Sequence, residues 1–120
     1  MKENKNYISA SRRNLSLASE LDLGKLPPQA LDLEESVLGA LMLEKDALTN
    51  VVDILKPDNF YKDANKEIYK AIIDLFNNSE PVDLLTVTTQ LKKNGKLDFV
   101  GGAYYVTQLT KELTQLLILS

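Results

Sequence analysis

Two prolines, Pro27 and Pro28, stand at the head of the segment Leu26–Leu43, LPPQALDLEESVLGALML. Proline fixes φ and lacks an N–H, so the pair imposes an extended approach and marks where order begins. Behind it Leu33, Val37, Ala40 and Leu41 recur at helical spacing and form one apolar stripe. Such a stripe must be covered, so the segment predicts a buried helix with other helices laid over it. Asp32 is expected to cap its start, with Glu35 completing a capping box and Glu34 adding negative charge to the first turn. Gly39 weakens the helix by roughly 1 kcal/mol relative to alanine. Beside Ala40, it also leaves space for a second helix to approach closely.

The stripes that follow are shorter and separated by turn residues. Ala47, Leu48, Val51, Val52 and Leu55 repeat the pattern until Pro57 stops it. PDNFY (57–61) is a turn with two aromatics, and Phe60 and Tyr61 are expected to plug a corner between helices rather than form a binding patch. Asp63 is expected to cap a third helix running to about Asn77. Its core face is Ile68, Ala71, Ile72, Leu75 and Phe76, and Lys62, Lys66 and Lys70 form a solvated row. NNSEP (77–81) then breaks the helix.

Asp83–Asn94, DLLTVTTQLKKN, has the Thr and Val content of a strand, and Asn94-Gly95 could turn a hairpin. Helix is the stronger reading. Leu84, Val87, Thr88 and Leu91 share a face, Asp83 suits an N-cap, Lys92 and Lys93 suit a last turn, and Gly95 suits the residue beyond it. The paired glycines of KLDFVGG (96–102) permit a tight reversal into a final helix from about Ala103, with Tyr105, Leu109 and Leu113 on one side and Tyr104 and Gln108 offset. The fold expected from these stripes is all-α, a small compact bundle of about five to six short helices.

Composition removes several kinds of chemistry. The chain of 120 residues has no cysteine and no histidine, so thiolate metal sites, disulfides and the commonest general base are missing. Five Lys/Arg against three acidic residues give residues 1–26 a charge of +2, and nine against fourteen give residues 27–120 a charge of −5. An acidic body grips nucleic-acid phosphates poorly. Residues 1–26, rich in Ser, Asn and Lys, suggest a flexible tail, with Ser16–Leu23 able to form a transient helix on a partner. The amino terminus lacks the apolar core of a secretory signal, and no apolar run approaches the roughly 20 residues of a membrane span. The expected setting is soluble and cytoplasmic.

No constellation of catalytic residues emerges. Asp32, Glu34, Glu35, Asp63 and Asp83 all have simpler duties at helix starts, and the paired glycines lack the spacing of a P-loop or dinucleotide fingerprint. The residues alone support an interaction domain. The alternatives are a winged-helix or helix-turn-helix nucleic-acid reader, for which Asp83–Asn94 offers only Gln90, Lys92 and Lys93, and a small acidic enzyme, which lacks a base beyond exposed carboxylates.

Three stretches in order carry a resemblance: LPPQALDLEESVLGALML (26–43), DNFYKDANKEIYKAI (58–72) and PVDLLTVTTQLKKNGKLDFVGGAYYVTQLT (81–110). Together they resemble the amino-terminal domain of the DnaB-type bacterial replicative DNA helicases. The resemblance implies a helical collar on a hexameric ring, pairing as dimers, supporting ring assembly and recruiting primase and in some systems a loader. It places ATP, magnesium and DNA contacts in a separate RecA-like motor domain. The P-loop of that domain is not found in this sequence, so a fragment without the motor, binding no cofactor of its own, is expected. Lys111–Ser120, KELTQLLILS, departs from the family's Pro-Ser-Ala-Ala-Asn-like lead into a helical hairpin, so residues 27–120 are expected to be the collar domain lacking that hairpin. Contact with a second copy is expected through Val100, Gly101, Tyr104, Tyr105, Leu116 and Leu117.

Overall fold

Residues 28–119 are described in a computed structural model, and among them the chain forms five α-helices, one 3₁₀ turn and no strand. The elements are α1 (Pro28–Leu43), α2 (Ala47–Val51), the 3₁₀ turn Pro57–Asn59, α3 (Asp63–Asn77), α4 (Leu84–Lys93) and α5 (Gly102–Leu119). The all-α expectation holds. The expectations for residues 1–26, Ser16–Leu23 included, lie outside the described residues.

α3 is the helix against which the others pack. Ile68, Tyr69, Ala71 and Ile72 are fully enclosed and Leu75 nearly so, facing Leu38, Leu41 and Met42 of α1, Val87 and Leu91 of α4, and Val106 and Leu109 of α5 in one hydrophobic cluster. Each such side chain stabilises the fold by roughly 1.5–3 kcal/mol relative to exposure. Phe60 is the expected plug: it is 4% exposed, with its ring centroid 5.2 Å from that of Tyr69. Tyr61, by contrast, is 45% exposed. The Tyr69 hydroxyl donates to the Leu55 carbonyl at 2.7 Å, so the only polar atom of that buried ring is satisfied.

α1 departs from expectation at its start and in its buried face. It begins at Pro28, so Asp32 lies inside the helix and exposed, and the Asp32–Glu35 capping box does not form. Proline is well suited to the first helical position, where its missing N–H would have had no partner anyway. The buried face is Leu38, Leu41 and Met42, while Leu33 is 65% exposed. A segment with Leu31, Leu33, Val37, Leu38, Ala40, Leu41, Met42 and Leu43 is apolar on most sides, so periodicity alone fixes its orientation poorly. Asp63 is likewise the first residue of α3 and not its cap, which is Lys62. Phe76, assigned to the core of α3, is 37% exposed.

α4 forms as its sequence signals foretold. Thr86 N–H donates to Asp83 Oδ1 at 2.8 Å, and Asp83 N–H donates to Thr86 Oγ1 at 2.9 Å. Its other end is a Schellman motif: Lys96 N–H bonds the Leu91 carbonyl at 2.9 Å and Gly95 N–H the Lys92 carbonyl at 3.0 Å, with Gly95 at φ +72°.

α3 ends in the same motif, from Glu80 to Leu75 at 2.9 Å and from Ser79 to Phe76 at 3.0 Å, but there a serine holds the left-handed position at φ 56°. A side chain in that conformation is strained, whereas glycine is not. Ser79→Gly is therefore expected to stabilise the protein by about 0.5–1 kcal/mol, offset partly by the greater freedom of glycine in the unfolded chain. Urea unfolding should show a higher midpoint with an unchanged slope. A lower midpoint would contradict this account.

Candidate interaction surfaces and the polar junction beneath them

A polar junction joins α1, α3 and α5. Glu34 projects from α1 to the start of α3, where backbone N–H groups lack helical partners. Its Oε2 accepts from the Tyr61 N–H, and its Oε1 accepts from the Lys62 N–H at 3.4 Å and from Asn65 Nδ2 at 2.9 Å. The carboxylate expected to serve its own helix thus caps another. Asn65 is fully buried, and its Oδ1 accepts from the Tyr105 hydroxyl of α5 at 2.7 Å. Glu35 Oε2 lies 3.3 Å from the same hydroxyl. Lys62 Nζ donates to that oxygen at 3.3 Å and sits 4.3 Å from the ring centroid.

Burial pushes the Tyr105 hydroxyl well above the ordinary tyrosine range, and the negative charges of Glu35 and then Glu34 push it in the same direction. It keeps its proton at neutral pH and acts as a donor, a brace rather than a reactive group. Nothing in the sequence reading assigned this role to Asn65 or Tyr105. The available signal was Asn65 itself, which stands on the stripe of Ile68 and Ile72; a polar residue there needs a buried partner.

Of the six residues expected at an interface, the surroundings of Val100, Gly101, Tyr104 and Tyr105 are described. Tyr104 is 75% exposed on the first turn of α5, and Gly101 is exposed beside it in a turn at φ +108°. Tyr105 is half-buried in the junction. Val100 is 3% exposed: the bond from its N–H to the Lys96 carbonyl at 3.1 Å closes a turn that folds the valine inward, so it belongs to the core. Leu116 and Leu117 lie within α5, and their side chains are outside the described residues.

Among the described residues, grooves open between the helices, and two of them expose large apolar side chains. One, of about 620 Å³, is lined by Leu33 and Val37 of α1 with Val51, Ile54, Leu55 and Phe60, and Glu34 and Asn59 at its edge. Leu33 and Ile54, at 65% and 76% exposure, form its lips. The other, of about 570 Å³, lies between the end of α1, the start of α2, and the segment from Phe76 to Asp83, with Leu43 and Phe76 partly exposed in it. Leu33 and Phe76, both assigned to the core from sequence, are groove residues. Among the described residues no group of three or more carboxylates is placed to hold a metal, and no helix is long and apolar enough to cross a membrane.

Fold and surface define a small all-α module, braced inside by a polar junction and bearing one apolar and one mixed groove outside. The family model for the DnaB-like helicase N terminal domain matches residues 26–117, and the chain belongs to that family. It is 42% identical over 87 residues to the replicative DNA helicase DnaB of Rhodothermus marinus, covering 72% of this chain and 9% of that protein. Against the Mycobacterium leprae DnaB the identity is 43% over 88 residues, covering 73% and 15% respectively. Against the Bacillus subtilis replicative DNA helicase DnaC it is 42% over 89 residues, covering 74% and 20%. The chain thus spans a fifth or less of the length of these relatives. The crystal structure of the N-terminal domain of DnaB helicase from Mycobacterium tuberculosis is similar with a TM-score of 0.67 and 43% identity, covering 72% of this chain and 62% of that one.

Proposed function

We propose that this domain orders the subunits of a replicative helicase ring and offers a docking face to primase or a loader, in the cytoplasm, while ATP, magnesium and DNA are handled by a motor domain of the same family. The observation that supports this reading is the number of large apolar side chains left in water. Leu33, Ile54, Leu85, Phe99 and Tyr104 are each more than half exposed. Leu33 and Ile54 meet in one groove with Val37, Val51 and Leu55, and apolar side chains gathered in this way mark contact with other proteins. The acidic body, −5 over residues 27–120, argues against a DNA-gripping role for this part.

Sedimentation velocity over a range of concentrations tests the assembly role. A mass that rises toward a dimer, and that returns to the monomer value in Tyr104→Glu, is expected. Tyr104 is exposed, so the variant should fold normally. A monomer at high micromolar concentration would remove the assembly role. The same preparation should show no DNA-stimulated ATP hydrolysis and only salt-sensitive binding to single-stranded DNA. A P-loop-like rate from the pure chain, or tight DNA binding at physiological salt, would overturn the division of labour.

A further inference from the structure

The dipeptide Asn94-Gly95 occurs once in this chain. An asparagine followed by glycine is the pair most open to spontaneous deamidation, because no side chain shields the glycine nitrogen. Both residues are exposed, and no atom lies within 4 Å of where a Cβ of Gly95 would stand. The fold nevertheless holds the reaction back in several ways. The Asn94 amide is tied at both ends: Nδ2 donates to Asp74 Oδ2 of α3 at 3.2 Å, and Oδ1 accepts from Gln90 Nε2 at 3.0 Å. A carboxylate can only accept, so the NH2 end must face Asp74. The nucleophile is tied as well, since the Gly95 N–H donates to the Lys92 carbonyl at 3.0 Å. Asn94 itself has φ −77° and ψ −5°, whereas a five-membered ring needs the Gly95 nitrogen swung round toward Cγ, out of the helical range.

We propose that Asn94 is a deamidation site that α3 keeps shut, opened when the end of α4 frays, and that its conversion prevents the same cap from re-forming. In the step itself the Gly95 nitrogen attacks Cγ of Asn94. The N–Cγ bond forms, the Cγ–Nδ2 bond breaks, and Nδ2 leaves as ammonia with the proton of the Gly95 amide. Water then opens the cyclic imide at one carbonyl or the other, giving aspartate or isoaspartate. Attack requires ψ of Asn94 to change, which breaks the bonds from Gly95 to Lys92 and from Lys96 to Leu91 that close α4. The chemistry is thereby coupled to a local opening, a state rarer than the closed one. The product does not fit the cap. Aspartate would set a carboxylate oxygen where Nδ2 stood, against Asp74 Oδ2, with negative charge at the C-terminal end of α4. Isoaspartate would add a methylene to the main chain inside the turn.

The test follows the full chain in mildly alkaline buffer, folded and in unfolding urea, by mass spectrometry after cleavage at its glutamates. Asn94 is then the only asparagine in fragment 81–112, while Asn77 and Asn78 fall in fragment 68–80. Deamidation exchanges NH2 for OH, and an isoaspartyl methyltransferase labels the isoaspartate form. In urea, fragment 81–112 is expected to convert ahead of every other fragment. In the fold it is expected to convert at least about tenfold more slowly. Asp74→Ala should speed the folded rate by about threefold or more and leave the urea rate unchanged. Alanine is the better helix former, so that acceleration would not come from a weakened α3. Asn94→Asp, which supplies the product directly, should unfold at a lower urea midpoint than the parent.

Equal rates in the folded and unfolded chain would overturn the proposal, because the fold would then offer no restraint. So would a folded rate indifferent to Asp74→Ala, a different asparagine leading in urea, or an Asn94→Asp midpoint at or above the parent's. Self-association and partner binding enter none of these readouts, so the proposal stands or falls apart from the proposed function.

Discussion

Gly39→Ala is expected to destabilise the domain by about 2 kcal/mol, although alanine is the better helix former. A Cβ at Gly39 would run into the backbone carbonyl oxygen of Leu109 and lie 3.0 Å from both the Leu109 carbonyl carbon and Leu113 Cδ1. A side chain could rotate away; a helix backbone cannot. α1 and α5 would have to separate along their crossing, and overpacking of that kind costs roughly 1–3 kcal/mol and sometimes more. Against this stands about 1 kcal/mol of helix propensity gained on replacing glycine. The sign of the change is therefore diagnostic. An open helical glycine gives a stabilised alanine variant, and a crossing point gives the reverse. For a domain of this size the loss corresponds to a fall in Tm of roughly 8–16 °C. A Tm equal to or above the parent's would mean the two helices do not meet at Gly39. Gly39→Leu should fail to fold.

Tyr105→Phe carries the second large effect. The substitution removes one oxygen and leaves the ring, so packing and the position of Lys62 over the ring are retained. What is lost is the donor to Asn65 Oδ1, in a residue with no exposure to water. An orphaned buried acceptor costs about 1–3 kcal/mol, more than the net worth of an ordinary hydrogen bond. In a double-mutant cycle with Asn65→Ala, the two losses should be less than additive, because both remove the same bond. Additive losses would show that the bond contributes nothing.

The same hydroxyl gives a pH signature. Its pKa in the folded protein lies above the ordinary value of 10.0, raised by burial and then by Glu35. At alkaline pH the unfolded chain therefore releases this proton while the folded one holds it. Unfolding then becomes easier as pH climbs. The contribution is fully present below about pH 10 and is lost progressively above it. Tyr69, also raised by burial, adds to the same decline. Urea midpoints measured across that range should fall with pH in the parent and fall less steeply in Tyr105→Phe. Parallel curves would indicate that Tyr105 ionises as freely in the fold as out of it.

These effects differ in how far they could be read in advance. Gly39 was legible because a helical glycine beside an alanine suggests close approach, and the clash with Leu109 bears that out. α4 was legible because Asp83, the Val87–Leu91 face and Gly95 signal start, side and stop independently, and the three agree. The orientation of α1 was not. Its leucines surround the axis, so Leu33 could be assigned inward when it faces a groove, and only the positions of α3 and α5 break the tie. Glu34 and Glu35 were assigned to their own helix because local capping is visible in sequence, whereas a carboxylate reaching a residue 27 positions away is not. Asn65 on an apolar stripe announced that some buried donor must exist without saying which. Val100 and Tyr104 stand only four positions apart, but the turn between them sends one inward and the other out.

Because Glu34 holds the amides of Tyr61 and Lys62 from another helix, the entrance of α3 is secured only once α1 has docked. A synthetic peptide covering Asp63–Asn77 alone should fray at its first turn however strongly its later residues favour helix. In the intact domain, deuterium should reach the Tyr61 amide at the rate at which α1 detaches, making that single hydrogen a reporter of a remote opening event.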